Sequence, residues 1–201
     1  MSKNKRRETA SSSEAQIAEF YAAVLTQLPA LSADQRQYWI RRKKKRLAKV
    51  LAVLKDVPVI FEVMVNYGQT LNKMIKECKL EAVGGNITVE HFPIKAKGHK
   101  KIELEFFQFD ETVRGDHALR RLDEAGYRPV TLPELLALGR DYPEEQCKYP
   151  IVALGSFWRD RDGILLVPYL YKHAGKRGLD LDQLGSNFSP VYRFPVVSKA
   201  A

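Results

Sequence analysis

The sequence predicts an α+β protein: an N-terminal helical hairpin, followed by a mixed α+β domain whose C-terminal half is rich in β-structure. Three observations lead there. Apolar residues recur every three to four positions up to about residue 56, the period drops to two from Val57, and after Pro150 the apolar runs are short and separated by turn residues. The chain has 201 residues, 45% hydrophobic and 28% charged. That balance suits one ordinary core with an appended arm and excludes a wholly disordered chain.

Residues 1–12 are polar and charged, the composition of a disordered tail. Ile17, Phe20, Tyr21, Val24, Leu25 and Leu28 then fall on one stripe of a helix, which Pro29 ends. Ser32 opens a second helix, with Gln35 completing a capping-box pattern, and this helix continues to about Asp56. Residues 13–56 are therefore expected to form a basic helical hairpin, and residues 57–201 the α+β domain.

Within that domain, Val57, Val59, Phe61, Val63 and Val65 occupy one face of a strand. A helix opened by Thr70 aligns Leu71, Met74, Ile75 and Cys78, and Gly84-Gly85 closes the connection after it. Ile102, Leu104 and Phe106 alternate with Glu103 and Glu105, which predicts a strand over residues 101–109 with one wet face. Next comes a helix over about residues 115–125 that buries Ala118, Leu119 and Leu122 and stops at Gly126. Thr131, Pro133 and Glu134 mark another helix start, because they combine a cap, an early proline and a capping-box glutamate. Strands are expected over residues 151–154, 164–171, 179–184 and 192–197, with loops at 173–178 and 185–190.

The net charge of +9 is unevenly placed: residues 1–56 carry 13 Lys and Arg against five Asp and Glu, leaving only +1 for the remainder. Its densest point is Arg41, Arg42, Lys43, Lys44, Lys45 and Arg46, just after Trp39. At about 100° per residue, six successive cations circle a helix, so this segment cannot be buried on any side. One reading is a nucleic-acid or other polyanion contact, the cations on phosphates and Trp39 against a base or sugar. The other is a solvated cationic turn with Trp39 packed on the first helix.

Signals for catalysis are weak. His91, His99, His117 and His173 share no metal spacing, and Cys78 and Cys147 read as reduced core thiols, so no cofactor or metal is expected. Ser156 follows Gly155 but lacks the second glycine of a nucleophile elbow. Asp180 and Asp182 alternate with Leu179 and Leu181 and should share one strand face, either as paired acid and base or as a polar surface. Trp158, Arg159, Tyr169, Tyr171, Lys172, Asn187, Phe188 and Tyr192 are concentrated near the C-terminal strand ends, and residues of these types dominate binding hot spots. They are the candidate ligand-binding surface for a protein or small ligand. The opening residues are charged, then polar, with no apolar stretch following and no transmembrane run, so a cytoplasmic location is expected.

Five stretches together carry a resemblance: Tyr67-Gly-Gln-Thr-Leu-Asn-Lys-Met-Ile75, Asn86-Ile-Thr-Val-Glu-His-Phe-Pro93, Gly126-Tyr-Arg-Pro-Val-Thr-Leu-Pro-Glu134 with the helix after it, Pro150-Ile-Val-Ala-Leu-Gly-Ser156, and Tyr192-Arg-Phe194. Over about residues 63–197 the chain resembles a family of uncharacterised bacterial proteins common in small-genome candidate phyla. The Tyr-Arg-Pro-Val-Thr helix start, with a β-rich end closing on an Arg-Phe strand, is also similar to C-type-lectin-like domains, including the variable proteins of diversity-generating retroelements. The resemblance implies a lectin-like C-terminal half that displays changeable residues on a fixed scaffold to bind ligands. The expected function is thus non-enzymatic binding at the C-terminal surface, with a basic arm for a polyanion. The alternatives are a nucleic-acid-binding accessory protein of a phage or mobile element, and a hydrolase-like enzyme using the paired aspartates.

Overall fold

Phe61, Val63 and Val65 are almost fully buried while Glu62 and Met64 between them are exposed, as the two-residue period requires of a strand with one covered face. In the computed structural model, which describes residues 59–199, they form β1 (Phe61–Asn66). The expected tail and helical hairpin, with Trp39 and Arg41, Arg42, Lys43, Lys44, Lys45 and Arg46, lie outside the described residues. The domain is mixed α+β and β-rich toward its C-terminal end. None of its helices is long and apolar enough to cross a membrane.

The first sheet has four strands in the order β1, β3 (His99–Phe107), β11 (Phe194–Ser198) and β5 (Tyr127–Pro129), all antiparallel. The second is built on a long hairpin, β8 (Leu165–His173) and β9 (Lys176–Gln183). The two-residue β2 (Ala82–Val83) runs parallel to β9, and β6 (Ile151–Val152) and β7 (Trp158–Arg159) share the far edge of β8. A separate two-stranded ribbon joins β4 (Val113–Arg114) to β10 (Asn187–Phe188).

Four helices fill the layers: α1 (Leu71–Glu77), α2 (Gly115–Glu124), α3 (Leu132–Asp141) and the single turn α4 (Glu145–Lys148). Leu132 to Gly139 of α3 are all buried, because this helix lies against β1, α1 and β8 at once. Each of its fully buried leucines contributes about 1.5–3 kcal/mol. A Cβ on Gly139 would come within 2.8 Å of a methyl of Leu170, so glycine lets the helix approach β8 without displacing that side chain.

The strands divide the interior in two. One cluster holds β1, α1 and α3 with Leu170 and Leu179; the other holds Ala118 and Leu122 of α2 with Val167, Phe188, Phe194 and Val196. Strands β8 and β11 feed both, since alternate side chains point to opposite faces.

The expected loop at 173–178 is corrected. The turn is only Ala174-Gly175, both with positive φ (49° and 82°), and β9 resumes at Lys176. Two such residues give the turn whose twist matches a hairpin, whereas alanine is a poor sequence marker for it.

Two prolines explain where edges break. Pro195 sits in the central strand β11, where its carbonyl accepts from Val130 N at 3.1 Å just past the end of β5; the carbonyl that its missing N–H would have reached, Val130 O, accepts from Gly155 N at 2.9 Å instead. Pro168 faces Ala153 in the same way, its carbonyl accepting from Ala153 N at 2.9 Å. The ladder along β8 is interrupted there, which separates β6 from β7 and lets residues 154–157 leave the sheet edge.

Candidate functional site

The freed residues form one rim of a cleft of about 750 Å³. Its floor is the stretch of β3 that β11 leaves unpaired, with Lys100 and Ile102, together with Arg128 on β5 beside Val197 of β11. One wall is residues 90–96; the other is the first turn of α3, from Thr131 to Glu134, with Gly155, Ser156 and Phe157 above it.

Local bonds hold each wall. His91 stacks on Trp158 with ring centroids 3.8 Å apart at 11°, and its Nδ1 lies 2.8 Å from the carbonyl of Asn86. A carbonyl only accepts, so Nδ1 carries the hydrogen. Phe92 is buried and donates its N–H to Thr88 O at 2.9 Å. Opposite, Ser156 Oγ accepts the N–H of Leu132 at 2.9 Å, capping α3 from outside the helix. A Cβ at Gly155 would lie 2.5 Å from Val130 O, so backbone rests directly on backbone there. Ser156 is thereby a helix cap.

Glu134 is only 2% exposed, yet its carboxylate is saturated. It accepts from Tyr67 Oη at 3.0 Å, from Arg128 by a fork at 2.9 and 3.0 Å, and from Thr131 N at 2.7 Å. The last bond is half of the capping box expected from sequence, while Thr131 Oγ1 itself has no hydrogen-bond partner. Burial, and then the charge of Glu134, raise the Tyr67 phenol well above the ordinary tyrosine range.

The cleft therefore presents more cations than anions. Arg128 neutralises Glu134, and Lys95 and Lys100 are exposed at the rim with the carboxylate of Glu90, which its hydrogen bond to Thr88 holds below the usual carboxylate range. Phe157, also at the rim, keeps 58% of its surface exposed.

Of the residues expected to bind ligand, the structure gathers few. Trp158 supports the cleft through His91, whereas Arg159 donates to Gly163 O at 2.7 Å and braces the neighbouring turn. Tyr169 and Tyr171 lie together on one face of β8, 5.4 Å apart, and Lys172 points to the other face. Asn187 is exposed on β10. Phe188 is a correction: it is 1% exposed, packed edge-on against Phe194 and Tyr192 at 5.7 and 5.2 Å, because its strand closes over the second core.

Asp180 and Asp182 do share a face, opposite Tyr169 and Val167, but each accepts a local backbone N–H and Asp182 also accepts from Ser186 Oγ. No group of three or more His, Cys, Asp or Glu among the described residues is placed to hold a metal. Cys78 is buried, donates to Leu136 O at 3.0 Å and is pushed up to about 12 by burial. Cys147 is exposed, correcting its reading as a core thiol: α4 is one turn long and its neighbour Gln146 takes the buried position.

The cleft was missed in the sequence. Lys95 and Lys100, Arg128, and Phe157 come from three separate segments, and the local density of lysine over residues 95–101 was the one available signal. No family model, curated protein or solved structure matches this chain.

Proposed function

We propose that this is a non-enzymatic binding protein whose recognition site is the cleft, taking an anionic ligand that carries a flat apolar group. The observation that carries the reading is the pairing of exposed Lys95 and Lys100 with the exposed ring of Phe157 around a cavity of about 750 Å³. Saturation of Glu134 supports it further, since the buried carboxylate no longer repels an anion. The cationic residues from Arg41 to Arg46 give a second contact for a polyanionic partner. The β-rich end that closes on Arg193 and Phe194 supports, as part of this proposal, a C-type-lectin-like C-terminal half. Two unpaired cysteines fit a reducing, cytoplasmic setting.

Phenyl phosphate contains both features of the ligand, and a titration followed by amide chemical shifts tests the reading. Shifts should concentrate at residues 90–96, 100–102 and 155–157, and Lys100→Gln and Phe157→Ala should each weaken binding several-fold. Shifts on the Tyr169 and Tyr192 face, or none, would overturn it.

In a second reading the protein is a nucleic-acid-binding accessory protein of a phage or mobile element, in which residues 41–46 are the main contact. It is favoured by the density of that run. Neutralising the six cations would then abolish salt-sensitive binding altogether. A hydrolase built on Asp180 and Asp182 finds no support, since neither lines the cleft and both carboxylates are engaged locally.

A further inference from the structure

We infer that the cleft and the lysine-rich segment beside it form a site for single-stranded nucleic acid within the folded domain. Phosphates would lie along Lys95, Lys97 and Lys100, and one unstacked base would enter beside Phe157. This rests on the cleft being the recognition site and adds the class of ligand.

Residues 95–101 contain Lys95, Lys97, His99, Lys100 and Lys101. All four lysines are exposed. Only Lys101 is ion-paired among the described residues, with Glu62 at 2.8 Å. The backbone is pinned at the end of this segment: Gly98 takes a φ of 78° and accepts the Tyr67 N–H at 2.9 Å, and β3 begins at once with His99 and Lys100 paired to Asn66 and Val65. Three unpaired charges close together in the chain, the last of them held on β3, form a cationic track, the feature that follows a sugar–phosphate chain.

The adjoining cleft supplies what a cationic track alone lacks. Its volume exceeds that of a nucleobase, and Phe157 offers a ring that packing does not require, for stacking without regard to base identity. Reaching that ring demands a base free of its partner strand, which selects single strands over duplex. Glu90 is the one cleft-lining carboxylate not held by an arginine.

The test uses the full chain with residues 41–46 changed to Gln, so that the other cationic segment is silent. Binding of a fluorescein-labelled oligothymidylate of about 12 nucleotides is followed by anisotropy between about 50 and 200 mM salt. This chain should bind the oligomer at least tenfold more tightly than thymidine monophosphate. Changing Lys95, Lys97 and Lys100 together to Gln should reduce affinity tenfold or more and lower the slope of log K against log salt by about 2, at about 0.7 per phosphate. Phe157→Ala should weaken binding about fivefold or more while leaving that slope unchanged, and Lys101→Gln should have little effect.

Equal binding of oligomer and monophosphate would overturn the strand site, and so would an unchanged slope in the triple variant. Duplex bound as tightly as single strand, or anionic vesicles bound in place of the oligomer, would overturn it equally. If phenyl phosphate still occupies the cleft in those cases, the broader binding function stands and only the nucleic-acid assignment falls.

Discussion

Glu134 shows how one side chain can be structural and functional together. Its four accepted hydrogen bonds remove the penalty of a buried charge, and in doing so they fix Arg128 and Tyr67 at the floor of the cleft. Elsewhere burial acts on a phenol. Tyr169 is pushed up from 10.0 to about 12, first by burial and then by the negative charges of Asp180 and Asp182. The folded protein thus keeps a proton that the unfolded chain releases near 10, so this contribution is complete below that pH and is lost as pH rises toward 12. Tyr67, Cys78 and Tyr192 are shifted in the same direction and add to it. Urea midpoints measured across this alkaline range should fall steadily. Replacing both aspartates with asparagine should leave the onset of the decline near 10 but end it at lower pH and make it smaller, though only in part, because burial is the larger cause. An identical profile in that variant would assign the shift to burial alone.

At the scale of elements, proline and turn chemistry decide where strands stop. Pro168 divides the edge of β8 and so releases the residues that become the cleft rim. The β8–β9 turn is built less well than it could be, since Ala174 has a φ of 49°, where an L-residue with a Cβ is strained by about 1 kcal/mol. Asparagine tolerates that region and precedes glycine in the preferred two-residue turns. Ala174→Asn should therefore raise stability by about 1 kcal/mol, read as a higher thermal midpoint with the same fold. A lower midpoint would show that Ala174 makes contacts that its exposure does not suggest.

At the scale of the molecule, the helical layer is tied to the second sheet through buried polar groups as well as apolar packing. Gln146 on α4 is 1% exposed; its amide donates to Tyr171 O at 2.8 Å and Gly178 O at 3.3 Å, and its oxygen accepts from Arg177 at 3.0 Å. Arg177 reaches on to Gly139 O at the end of α3. Gln146→Ala should cost about 2–3 kcal/mol in chemical denaturation, because it leaves buried carbonyls unsatisfied. A loss below about 0.5 kcal/mol, the scale of an ordinary surface substitution, would mean that water replaces the amide at no cost.

By itself the sequence determined the class of the fold, most of the longer elements and which face each one buries. Phe61, Val63 and Val65, the stripe of Leu71, Met74 and Cys78, and the start of α3 at Thr131 were all legible, because periodicity and capping act over a few neighbouring residues. The short strands β2, β4, β5, β7 and β10 were not, since two or three residues carry no period. Only the tertiary structure decided the site. Lys100, Arg128 and Phe157 are distant in the chain and meet because β11 leaves the start of β3 unpaired and Pro168 interrupts the edge ladder of β8. Tertiary packing likewise sent Phe188 into the core and Cys147 to the surface. Such placements depend on which long-range pairings fill the interior, a property of the whole chain that no local pattern encodes.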